Sequence, residues 1–152
     1  QARRNNRNFH FSVCITINSL NIYYLDEIFD FFADKDLPTN FNMLHLPWHL
    51  NIKTLPDSVK QAITEKLQAY QTKESHGQWH KQYWQDHQEV VLNFLNTPVD
   101  GQENYFKNFI YYTKGLDASR QQDLSTVLPE FTSLLEAYLG CPWLEVDVPT
   151  LV

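Results

Sequence analysis

The stretch SVCITINSLNIYYLDEIFDFF, Ser12 to Phe32, changes period in its middle. Val13, Ile15 and Ile17 alternate with Ser12, Cys14 and Thr16, which predicts a strand. Leu25, Ile28, Phe29 and Phe32 then recur at the spacing of a helix face. Between the two, Thr16, Asn18, Ser19 and Asn21 gather hydrogen-bonding side chains with no Gly or Pro among them. Two compatible roles suit such a knot. Asn18, Ser19 or Asn21 caps the free N–H groups of the helix, or Asn18 and Asn21 reach a ligand's hydroxyls or carboxylate. The carboxyl ends of parallel strands are where α/β proteins bind ligands.

Working outward, residues 9–17 are expected as a strand and 21–34 as a helix, with Asp26 and Glu27 in its first turns where the dipole favours acids. DKDLPT, with Pro38, marks a turn, and NFNMLHL, residues 40–46, a second strand. Strand, helix, strand in this order is a βαβ unit, so the two strands are parallel and the crossover right-handed. After a loop, LPDSVKQAITEKLQAY opens a helix with Pro56 at its start and the stripe Val59, Ile63, Leu67 and Tyr70.

From Trp79 the pattern is helical. One face should carry Trp79, Tyr83, Trp84, Val90, Val91, Phe94 and Leu95. A helix through Tyr105, Phe106, Phe109, Ile110 and Tyr112 should close at Gly115, and a last one should run between Pro129 and Gly140. CPWLEVDVPTLV reads as an extended tail.

Two parallel strands do not make a sheet with both faces covered. The expected fold is therefore α/β: the last units of a larger barrel or half-barrel in residues 1–75, followed by a helical extension in 76–152. The first strand would then present Phe9, Phe11, Val13, Ile15 and Ile17 at an edge too apolar to stay free.

Composition narrows the function classes. The chain has 152 residues, 43% of them hydrophobic and 14% aromatic, as a globular core requires. Net charge is −6; Arg3, Arg4 and Arg7 crowd the start, which leaves −9 for the remainder. An acidic body argues against nucleic acid as a partner. No apolar run approaches a membrane span and no signal peptide is visible, so a cytoplasmic protein is expected. Residue 1 is Gln and a strand follows almost at once, which favours a piece of a longer protein over a chain with its leader removed.

Among chemistry-bearing residues, His45 ends the second strand and His49 follows four residues on. Pro47 between them excludes the regular helix that would clamp a metal, and His45 reads either as a ligand contact or as a core residue. His76, His80 and His87 are expected on a polar face opposite the Trp79–Trp84 stripe. Asp117 and Arg120 have the spacing of a helical ion pair. Cys14 reads as a small buried hydrophobe. With only Cys14 and Cys141, far apart, the chain's thiolates hold neither zinc nor an iron–sulfur cluster. No GxSxG, P-loop or GxGxxG is present.

TINSLNIYYLDEIFDFF, LHLPWHLNIKTLPDSVKQAI and LDASRQQDLSTVLPEF, in that order, resemble the closing part of radical SAM proteins, in the group with a twitch-type iron–sulfur segment. The resemblance spans roughly Val13 to Phe131. It implies the fifth and sixth strands of a partial (β/α)6 TIM-like barrel, with terminal helices. It also implies S-adenosylmethionine and a [4Fe–4S] cluster as cofactors of the full-length protein, and the missing amino-terminal half of the barrel as a partner. In the family, the end of the fifth strand contacts S-adenosylmethionine through a loose GxIxGxxE-like segment. Cys14 to Asn21 occupies that place, with Asn18 where a glycine is often seen and Asn21 where the acid is often seen. Thr16, Asn18, Asn21 and His45 are the implied cofactor-binding residues. The family's CxxxCxxC is absent, so this polypeptide alone is expected to be inert and its substrate is unknown. A reading from another class is a non-catalytic α/β interaction module that docks through its aromatic helices.

Overall fold

A computed structural model of the chain describes residues 11–146. Strand β1 (Val13–Ile17) leads through a 3-10 turn at Ile22–Tyr24 into α1 (Leu25–Ala33), and β2 (Thr39–Met43) returns beside β1. The strands are parallel, in the register Val13 with Thr39 through Ile17 with Met43. Phe9 and His10 lie outside the described residues. Short turns at Trp48–Leu50 and Ile52–Thr54 precede α2 (Asp57–Ala69), α3 (Gln78–Asn96), α4 (Gln102–Arg120), α5 (Leu124–Val127) and α6 (Pro129–Leu139), and a 3-10 turn at Trp143–Glu145 follows.

The βαβ unit is as the alternating pattern demands, but the partial (β/α)6 barrel is not formed. Among the described residues there is one sheet of two strands, and every regular element from Asp57 on is a helix. The physical reason lies in what covers the sheet. Ile15, Ile17 and Thr39 point to one face and are buried there. α1 and α3 both meet β2, and Phe29, Phe41 and Trp84 form an aromatic cluster with centroids 5.0–6.1 Å apart. The outer edge of β2 is occupied too, because the Phe41 N–H donates to Tyr83 Oη at 2.6 Å. With that edge taken by a helix side chain and no third strand joined to the sheet among the described residues, the chain is a mostly helical small domain with a two-stranded parallel sheet.

A second apolar centre joins α4, α6 and the chain beyond. Phe109 packs on Phe106 and Phe131, and Trp143 is wholly buried. The expected extended tail is therefore wrong for Trp143, whose indole N–H donates to Asp117 Oδ2 at 3.0 Å. Asp117 also accepts from the Leu124 N–H, so it joins the end of α4 to α5 and to Trp143 instead of pairing with Arg120. Gly115 does not stop its helix; α4 runs on to Arg120, and Gln121 takes the left-handed conformation that ends it. At α6 the expected signals hold, with Pro129 in the first turn and Gly140 left-handed at the end.

The face of α3 also differs from expectation. Trp79 and Val90 are about half exposed, while His76 and His80 are buried against Phe29. His76 Nε2 lies 2.9 Å from Asp34 Oδ1, and His80 Nε2 lies 3.2 Å from the Leu37 carbonyl. These histidines are core residues that tie the start of α3 to the end of α1. Among the described residues no helix is long and apolar enough to cross a membrane.

Candidate functional site

The polar knot sits at the carboxyl end of β1, and the amide nitrogens of its two asparagines turn back to the strand. Asn21 Oδ1 accepts the Asn18 N–H at 2.8 Å, and Asn21 Nδ2 donates to the Thr16 carbonyl at 2.9 Å. Asn18 Oδ1 accepts the Leu20 N–H at 2.9 Å, and Asn18 Nδ2 also reaches the Thr16 carbonyl at 3.4 Å. The Asn18 carbonyl accepts from the Asn21 and Ile22 N–H groups. Asn18 Oδ1 thus makes a forward, cap-like bond to the turn, whereas Asn21, which holds the cap position before the Ile22–Tyr24 turn, makes none. Ser19 is fully buried with its Oγ unpartnered among the described residues, and its N–H donates to the Leu50 carbonyl. That bond moors the knot to the loop after β2.

The ladder explains why the Thr16 carbonyl needs such partners. Val13 N–H bonds to Pro38 O and Leu44 N–H to Ile17 O, which assigns the odd residues of β1 to the pairing with β2. The backbone groups of Cys14 and Thr16 therefore point to the other edge, where no strand lies among the described residues. The two amides satisfy the last carbonyl of that edge.

The second face of the sheet is polar, and no element covers it among the described residues. Thr16 and Cys14 stand exposed beside their register partners Asn42 and Asn40, also exposed. Cys14 is thus not the buried hydrophobe expected of it. Asn40 and Asn42 were not singled out from sequence, yet the alternation in TNFNM, residues 39–43, carries the signal: every second residue is polar and faces outward.

His45 does not share this constellation through its side chain. It is exposed, its ring lies edge-on to Phe94 at 5.2 Å, and its carbonyl accepts from Asn51 Nδ2. His49 packs on Tyr112 at 4.7 Å, and burial holds its imidazole below the ordinary histidine range. Trp48 stacks on Tyr105 at 5.3 Å, so the loop after β2 is clamped to α4 by aromatic contacts.

Two other features lie beside α1, and the first of them touches the knot at Asn21. An open apolar groove of about 610 Å³ runs past Leu20, Tyr24, Ile28, Phe31 and Val127, with Phe31 and Val127 more than half exposed. Lys66 Nζ is held by Asp26 (2.7 Å), Glu27 (3.1 Å) and the Tyr23 carbonyl (2.8 Å). Burial alone would lower the ammonium's pKa, but the two carboxylates outweigh it and raise it.

The residues do not fit an iron–sulfur cluster. Cys14 and Cys141 are free, and no group of three His, Cys, Asp or Glu side chains able to hold a metal exists among the described residues. For a nucleoside ligand the fit is narrower than expected. The amide groups of Asn18 and Asn21 are already bonded to backbone, which leaves the Thr16 hydroxyl and the Asn40 and Asn42 amides as exposed polar groups of this wall, Asn42 being the register partner of Thr16. Comparison of the chain with protein-family models, with curated proteins and with solved structures gives no match.

Proposed function

We propose that the chain is the carboxyl-terminal part of a radical SAM iron–sulfur enzyme and supplies one wall of its S-adenosylmethionine site. The observation that carries this reading is the exposed polar face of a parallel sheet, Cys14, Thr16, Asn40 and Asn42, next to a β1 edge that no strand joins among the described residues. Parallel sheets almost always have both faces covered, so this face calls for a further element or a ligand over it. Thr16 and Asn42 would meet the ligand's polar groups, while Asn18 and Asn21 shape the strand end from behind. The cluster, ligated outside this chain, would supply the electron that starts hydrogen abstraction from a still unknown substrate. The chain's own part is binding and exclusion of water.

The test uses the longer polypeptide, reconstituted anaerobically and titrated with S-adenosylmethionine. Thr16→Val and Asn42→Leu should each weaken binding severalfold, because each removes a hydrogen-bonding group worth about 1 kcal/mol. Unchanged affinity in both variants contradicts the reading. A second reading, a non-catalytic interaction module, is favoured by the open apolar groove beside α1, a surface of the kind that receives a partner's apolar side chains.

A further inference from the structure

Lys60 is a largely buried lysine whose amine has no acceptor closer than Asp57 among the described residues. Its side chain is only 6% exposed, and its nearest ionic partner is Asp57 Oδ1 at 3.6 Å. An ammonium removed from water normally requires close acceptors on its three N–H groups. Here it instead lines a cavity of about 280 Å³, together with Asp57, Asn96, Pro98 and Gln102.

The neighbouring amides are committed elsewhere. Gln102 Nε2 donates to the Leu55 carbonyl at 2.6 Å and to Asp57 Oδ1 at 3.2 Å, which holds that carboxylate beside the amine. Asn96 Nδ2 donates to Thr64 Oγ1 and the Leu92 carbonyl. The cavity shares Asp57 and Gln102 with a neighbouring hollow of about 470 Å³ that runs toward Phe106 and Tyr138. Burial lowers the pKa of Lys60, opposed by the charge of Asp57 and its contact with the amine, and the net shift is downward. A desolvated amine, a carboxylate beside it and room for a small molecule are together the requirements of imine chemistry.

We propose that Lys60 is a Schiff-base lysine that takes small aldehydes or ketones from this cavity, with Asp57 as its proton carrier. The neutral amine's electron pair attacks the carbonyl carbon, and the C–N bond forms as the carbonyl π pair moves to oxygen. Asp57 moves one proton from nitrogen to that oxygen, giving a carbinolamine. A second proton follows the same route, the hydroxyl departs as water and the C=N bond closes. Amine and carbonyl become imine and water, with no change in oxidation state. The site lies at the start of α2, away from the polar sheet face, and is independent of the function proposed above.

The experiment exposes the full chain to acetaldehyde and cyanoborohydride, which reduces any imine to a stable ethylamine, and reads each lysine by peptide mass spectrometry at low conversion. Lys60 should be ethylated several-fold ahead of the exposed Lys35 and Lys107, and that preference should vanish in concentrated urea. Asp57→Asn, at an exposed position, should slow labelling of Lys60 and leave Lys35 and Lys107 unchanged. If the folded chain labels Lys60 no faster than those two lysines, or if Asp57→Asn has no selective effect, the assignment is wrong.

Discussion

Asn21 and Thr16 are joined by a single hydrogen bond of 2.9 Å, from the Asn21 side-chain amide to the last outward carbonyl of β1. The other end of the same amide accepts the Asn18 N–H at 2.8 Å, so one side chain closes the turn that leaves the strand. Asn21→Ala removes both bonds and should destabilise the chain by about 1–3 kcal/mol in urea denaturation. Asn21→Asp keeps the acceptor for Asn18 but sets a carboxylate against the Thr16 carbonyl. It should restore none of the loss at neutral pH and part of it once the carboxyl is protonated. Equal stability of the alanine variant and the parent would show that the knot contributes nothing to the fold.

Trp143 tests the far end of the molecule. Its indole is wholly buried and bonded to Asp117, which lies 26 positions earlier. Trp143→Phe keeps most of the apolar surface and loses the bond to a carboxylate, a loss of about 1–3 kcal/mol. Trp143→Ala should cost about 3–5 kcal/mol through the cavity it leaves. Denaturant midpoints that move equally for both would mean that packing contributes little and the hydrogen bond carries the effect.

Tyr24 fastens the turn before α1 to the start of α6. Its hydroxyl donates to Glu130 Oε2 at 2.7 Å and accepts the Phe131 N–H at 3.4 Å. Burial, then the bond to Glu130, pushes the phenol up to about 12, above the ordinary value near 10 for an unfolded chain. A group whose folded pKa is raised stabilises the fold fully below its unfolded pKa. That contribution is lost as pH rises from about 10 through about 12. Stability measured across this window should fall more steeply for the parent than for Tyr24→Phe. Parallel curves for the two proteins would contradict the linkage.

How much of this was legible follows from the range of the interactions. The stripes of α1 and α2 were readable because Leu25 and Phe29, and Val59, Ile63 and Leu67, repeat locally at the helical period and are buried as the period demands. The stripe expected for α3 is only partly its inner face, because the pattern places Trp79 and Val90 beside Trp84 while the structure leaves both about half exposed. The helix's actual inner line is His80, Trp84, Val91, Leu92 and Leu95, and Trp79 stays half outside. His76 enters the core only because Asp34, 42 positions earlier, receives it, and no local pattern reveals such a partner. The helix through Gly115 tolerates a penalty of about 1 kcal/mol that tertiary packing overrides. Within the candidate site, the gathering of Thr16, Asn18 and Asn21 was visible. The backward direction of the two amides was not, since it depends on the 3-10 turn at Ile22–Tyr24.

The proposed function is tested most directly on a polypeptide that carries this chain together with the proposed amino-terminal half. After anaerobic reconstitution with iron and sulfide, it is reduced in the presence of S-adenosylmethionine and the products are separated by chromatography. The account predicts 5′-deoxyadenosine and methionine, with formation slowed in Thr16→Val and Asn42→Leu. A reconstituted, reduced protein that leaves S-adenosylmethionine intact would contradict it.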